Sequence, residues 1–107
     1  MISWLPGQAT GFHDHGGSAG AFAVVWGTLM ERRVVGASTT GQVLAKPVGA
    51  GGSRAFGPRY IHDVRNAAAS AVAVSVHAYS PPLARMTRYE LTPAGMAALR
   101  TEAAVAW

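Results

Sequence analysis

Cysteine is absent from this chain of 107 residues, and its absence removes disulfide frameworks, thiolate metal sites and thiol nucleophiles at once. A basic tract is also missing. Nine Lys and Arg against five Asp and Glu give a net charge of +4, yet the positive residues are spread from Arg32-Arg33 to Arg100. Nucleic-acid binding calls for clustered charge on a recognisable module, so no nucleic-acid partner is expected and the surplus charge reads as a solubility property. The opening Met1-Ile2-Ser3-Trp4-Leu5-Pro6 lacks a positive region followed by an apolar core, which argues against a signal peptide. The uncharged run Gly16 to Met30 is too short and too rich in glycine to cross a bilayer. These absences lead to the expectation of a soluble cytoplasmic protein without a membrane partner.

What is present is apolar side chain, half of all residues, enough for a modest core in one domain over residues 1–107. Over the first ninety residues glycine and proline interrupt too often for helices, while β-branched and aromatic runs alternate with turn signals. Strands are expected near Ile2-Trp4, Gly11-His15, Phe22-Val25, Thr28-Arg33, Val43-Pro47, Arg54-Phe56, Tyr60-Val64, Ala71-Tyr79 and Met86-Leu91. Gly36 to Gly41 reads as a hairpin loop and Gly49 to Ser53 as another. The fold class is therefore all-β, a small barrel or sandwich. One helix is expected at the end: Thr92 suits the N-cap and Pro93 the first helical position, and Met96, Leu99 and Ala103 recur on one side of an Ala-rich run to Ala104. Trp4, Phe22 and Trp26 read as core.

Four histidines carry the chemistry. In an extended strand, residues two apart point to the same face, so His13 and His15 share one face and Asp14 takes the other. His62 follows on a later strand. The three imidazoles can meet if the sheet folds back on itself, and three neutral imidazoles then hold one side of a divalent transition metal, leaving coordination positions open. The fourth, His77, shares a face with Ser75 and Tyr79 on a mostly apolar strand. Buried polar groups need partners: a file in which Ser75 orients His77, and His77 the Tyr79 hydroxyl, satisfies all three and presents a phenol able to exchange a proton with a bound substrate.

Gly7, His13-x-His15, Gly20 and Gly27 keep the spacing of the first cupin motif, with Gly20 where many cupins place a metal-binding Glu. Gly51, His62 and Asn66 keep that of the second, although Gly57 and Arg59 stand where Pro and Gly are usual. Trp4, His13-Asp14-His15, Gly27 to Glu31, His62-x-Val64-x-Asn66 and Ser75-x-His77-x-Tyr79-Ser80-Pro81-Pro82 together resemble the cysteine dioxygenase family of thiol dioxygenases, over about residues 2 to 91. The resemblance implies a cupin-type, double-stranded β-helix (jelly-roll) barrel. It also implies Fe(II) held by His13, His15 and His62, with Tyr79, His77 and Ser75 as catalytic residues. The reaction implied adds both atoms of O2 to the sulfur of L-cysteine, giving cysteine sulfinate; Gly20, in place of the family's crosslinking cysteine, leaves Tyr79 free of a crosslink.

One departure stands out. The family's arginine for the substrate carboxylate lies well upstream of the His-x-His pair and has no counterpart here, so the chain reads as shortened at its amino terminus, with Arg88, Arg59 or another arginine in its place. Two alternatives follow: a dioxygenase of another thiol carboxylate such as 3-mercaptopropionate, and a non-catalytic metal-binding cupin. Outside the histidines, Glu31 and Asp63 read as structural hydrogen-bonding or solvent-facing groups, and Tyr60 as core that shares His62's face.

Overall fold

The computed structural model describes residues 1–35 and 42–103. Among these residues ten strands run β1 (Ile2–Trp4), β2 (Phe12–His13), β3 (Ala19–Trp26), β4 (Thr28–Val34), β5 (Val43–Gly49), β6 (Ser53–Phe56), β7 (His62–Arg65), β8 (Ala73–Ser80), β9 (Arg85–Thr92) and β10 (Gly95–Ala103). They form a four-stranded sheet in the order β1-β8-β3-β6 and a six-stranded sheet in the order β10-β9-β2-β7-β4-β5. Every pairing among them is antiparallel. The expected hairpin loop at Gly36 to Gly41 lies outside the described residues.

Alternation along β3 and β4 turns Phe22, Val24 and Leu29 inward, where they join Trp4, Val48, Phe56, Val64 and Ala73 in a buried cluster. Gly27 closes the β3–β4 turn with φ +72, and an added Cβ there would lie 2.6 Å from the Val72 carbonyl oxygen. Asn66 ties the amino terminus to this core, its amide donating to the carbonyls of Trp4 and Ala71 at 3.0 and 2.8 Å. Trp26, expected in the core, is 68% exposed. The β3–β8 register shifts between Val24 and Trp26, and such a bulge breaks the two-residue alternation, so Val25 and Trp26 both end outside.

The expected carboxy-terminal helix is a strand. Gly95–Ala103 runs back along β9, pairing Gly95 with Thr92 and Ala103 with Arg85. Thr92, the proposed N-cap, instead closes a turn: its hydroxyl donates to the Gly95 carbonyl at 2.8 Å and accepts from the Ala94 amide at 3.2 Å. Pro93 serves the turn as well as it would a first helical position. The helical preference of an Ala-rich run is worth only about 0.5 kcal/mol per residue, whereas a helix here would strip β9 of a ladder of hydrogen bonds along one edge. Leu99, counted as part of a helical stripe, sits at the bulge between Ala98 and Arg100 and is exposed. Ala104 lies outside the described residues.

Candidate metal centre

β2 brings the histidines together. His13 pairs directly with His62 across β2 and β7, and opposed residues of an antiparallel pair share a face. These two therefore meet as neighbours within one sheet, without the folding-back that the sequence suggested. His15 follows just beyond β2, and the chain then turns through Gly16 and Gly17, both with positive φ. The ring centroids of His13, His15 and His62 lie 4.7 to 5.0 Å apart, and one nitrogen from each falls within 4.8 Å of the others. All three side chains are buried. Asp14 points away, as alternation requires: its carboxylate accepts from the amides of Gly16 and Thr87 and from the Tyr89 hydroxyl.

Hydrogen bonds at the ring nitrogens orient the cluster. His13 Nδ1 donates to the Gly11 carbonyl and His62 Nδ1 to Glu31 Oε2, each at 2.8 Å; in a neutral ring so held, the lone pair lies on Nε2. Among the described residues neither His15 nitrogen has a hydrogen-bond partner of good geometry although both are buried, and the Tyr60 backbone is the smallest of the influences on the ring. An orphaned imidazole beside two oriented ones is costly unless something occupies its lone pair, and a metal ion fits. Burial, then the neighbouring His62, pushes His13 down to about 4. Burial, His62 and His13 together push His15 to about 3. Both rings are thus neutral at neutral pH, the form a metal takes.

Glu31 is the residue whose place the sequence left open. It is buried, and besides His62 it accepts from the Tyr60 hydroxyl at 2.8 Å and Arg54 Nε at 3.2 Å. Burial alone would raise its pKa, but the bonds from His62 and Tyr60 outweigh that and hold it below the usual carboxylate value. The carboxylate that fixes a ligand's tautomer is a common partner of metal-binding histidine. A signal existed: Glu31 shares the strand face of Leu29, and an inward carboxylate needs donors. Asp63, fully buried, instead binds Arg32, Arg65 and the Gly11 amide.

The Ser75, His77 and Tyr79 file lies on β8 alongside. Trp4 Nε1 donates to Ser75 Oγ at 2.9 Å, leaving the Ser75 proton for His77 Nε2 at 2.7 Å. No hydrogen bond joins His77 to Tyr79 among the described residues: the His77 ring stacks on Phe22 at 5.4 Å and turns its Nε2 toward Ser75. Burial lowers His77 to about 4 and raises Tyr79. Tyr79 stacks beside His15, with centroids 5.6 Å apart, and Phe56 covers His15 at 4.4 Å. Gly20 makes this possible, because a Cβ there would fall 2.6 Å from Phe56 and 2.9 Å from Tyr79. A cavity of about 30 Å³ opens among Trp4, Thr10, His13, His62, His77 and Tyr79. Of the two arginines raised as carboxylate partners, Arg59 is exposed. Arg88 is paired in register with His13 and bonds the Thr10 carbonyl and Glu102.

The sequence profile of the family described as cysteine dioxygenase type I matches residues 1–92. No protein of curated function matches the chain by sequence. Among solved structures, an oxalate oxidase in complex with the substrate analogue glycolate superposes with a TM-score of 0.63 at 18% identity, over 72% of this chain and 38% of its own. Peruvianin-I, a cysteine peptidase from Thevetia peruviana latex, gives 0.58 at 19% identity over 72% and 45%. The protein TT1209 from Thermus thermophilus gives 0.54 at 28% identity over 71% and 66%. The chain thus spans well under half of the oxalate oxidase it resembles, and the likeness is one of cupin fold.

Proposed function

Because this chain belongs to the cysteine dioxygenase type I family, we propose that it is a non-haem Fe(II) thiol dioxygenase that converts L-cysteine to cysteine sulfinate. The observation that carries this reading is the set of three buried histidine nitrogens, within 4.8 Å and with no carboxylate among them. Three neutral ligands leave a divalent ion its full charge, which favours an anionic thiolate as a further ligand. His13, His15 and His62 hold the iron in this proposal, and iron supplies the redox chemistry that lets dioxygen react with a thiolate. In the overall reaction the S–H proton is released or retained by the sulfinic group, and the sulfur gives up the electrons that reduce both oxygen atoms as two S–O bonds form.

The protein's own groups set the surroundings. Tyr79, its proton retained by burial, donates a hydrogen bond toward the reacting oxygen or sulfur, and His77 and Ser75, steadied by Trp4, fix the wall beside it. Trp4, Ile2 and Val64 give the cavity an apolar part of its lining. At about 30 Å³ this space suits dioxygen or the substrate's sulfur end, and in this reading the carboxylate lies beside Thr10, which lines the cavity and whose carbonyl Arg88 binds. Arg88 is therefore preferred to Arg59 as its partner.

The decisive test is oxygen consumption by anaerobically Fe(II)-loaded protein on adding L-cysteine, with His62→Ala alongside. Uptake that requires both the thiol and His62 supports the dioxygenase. Folded, iron-bound protein that responds to 3-mercaptopropionate alone assigns another thiol carboxylate, and silence with both thiols leaves a metal-binding cupin without turnover.

A further inference from the structure

β4, β5 and β6 wall a second cavity of about 180 Å³, lined by Arg33, Lys46, Arg54, Ala55 and Tyr60. Its charge follows from register. Lys46 opposes Glu31 across β4 and β5 and so shares its face, and Arg33, two residues on, shares that face too. Arg54 enters from β6 in the other sheet, its Nε bonded to Glu31. Three cations thus line the cavity, and Glu31 is bonded to one of them, which leaves a surplus of two positive charges. Among the described residues neither Arg33 nor Lys46 forms an ion pair, and the Tyr60 hydroxyl is already committed to Glu31. The fields of Arg33 and Arg54 both reach that hydroxyl, opposing the upward push of burial and Glu31, so the two arginines converge on one spot from different strands. Cations gathered in a concavity repel one another and focus potential on whatever anion enters.

We propose that this cavity binds a small doubly charged oxyanion of the phosphate class, held by Arg33, Lys46 and the outer nitrogens of Arg54. Guanidinium groups suit the planar pairing of such oxygens, and the lysine adds a point charge. The anion would sit one side chain away from the carboxylate that holds His62, within reach of the histidine cluster through Arg54 and Glu31.

The test is calorimetric titration of the full chain with inorganic phosphate at pH 8, against sodium chloride at matched ionic strength. Lys46→Ala and Arg33→Ala remove exposed side chains that no described residue pairs with. Arg100→Ala removes the same charge from β10, at the sheet edge farthest from β5. Saturable binding to the wild-type chain, weakened about fivefold to tenfold by each cavity variant and unchanged by Arg100→Ala, is expected. Absence of saturable binding overturns the proposal. So does equal weakening by all three variants, which would mark diffuse charge, or indifference to Lys46→Ala and Arg33→Ala.

Discussion

Replacing Glu31 by glutamine preserves the shape of the side chain and removes the charge that fixes His62 Nδ1–H. Loss of such a partner typically weakens metal binding about 10- to 100-fold, so Glu31→Gln is expected to release Fe(II) to a competing chelator at correspondingly lower chelator concentration, with the fold intact by circular dichroism. Tyr79→Phe separates binding from turnover. It keeps the ring beside His15 and deletes only the hydroxyl, so iron affinity should hold while thiol-dependent oxygen uptake falls about 10²- to 10⁴-fold; equal uptake by the variant would remove Tyr79 from the proposed chemistry. The His13 and His15 pair and the Ser75–His77 contact were legible at this scale, since two-residue periodicity places each on one face. The expected His77–Tyr79 bond is not formed among the described residues, and His62 reaches the pair only through strand pairing. Glu31 was not legible, because its partners Tyr60, Arg54 and His62 come from other strands and a loop.

Between strands, the turns set the frame that holds the site. Gly27 combines a positive φ with the Val72 carbonyl 2.6 Å from where a Cβ would stand, so neither the backbone nor the neighbour has an easy way to yield. Gly27→Ala is expected to destabilise the chain by about 2 kcal/mol, read as a lower midpoint in urea denaturation with an unchanged m-value. Most strands were legible from alternation and punctuation. The last element was not: Thr92-Pro93 serves a helix start and a two-residue hairpin equally well, and only the presence of β9 as a pairing partner decides for the strand. Trp26 misled for a related reason, because a bulge is a property of two strands' register and not of one strand's residues.

For the molecule as a whole, acid is the informative variable. His13, His15 and His77 carry folded values of about 4, 3 and 4, against about 6.5 in an unfolded chain. Between those limits the unfolded state binds more protons, so stability rises with pH through the window and is lost as pH falls from 6.5 toward 4. Asp14 and Glu31, both held below their ordinary values, contribute stability that disappears at still lower pH. The metal-free protein is therefore expected to lose thermal stability steadily from pH 7 to pH 5, and a flat Tm across that range would contradict the burial of neutral imidazoles. By itself the sequence determined the fold class, the histidines and the family, because periodicity, glycine punctuation and motif spacing are local properties carried along the chain. Only the tertiary structure decided that His13 and His62 meet as partners across one sheet, that Glu31 holds His62, that His77 turns to Ser75 and away from Tyr79, and that the end of the chain is a strand. Each of these depends on which strand lies beside which, and strand order is set by long-range burial and pairing that no single stretch of sequence contains.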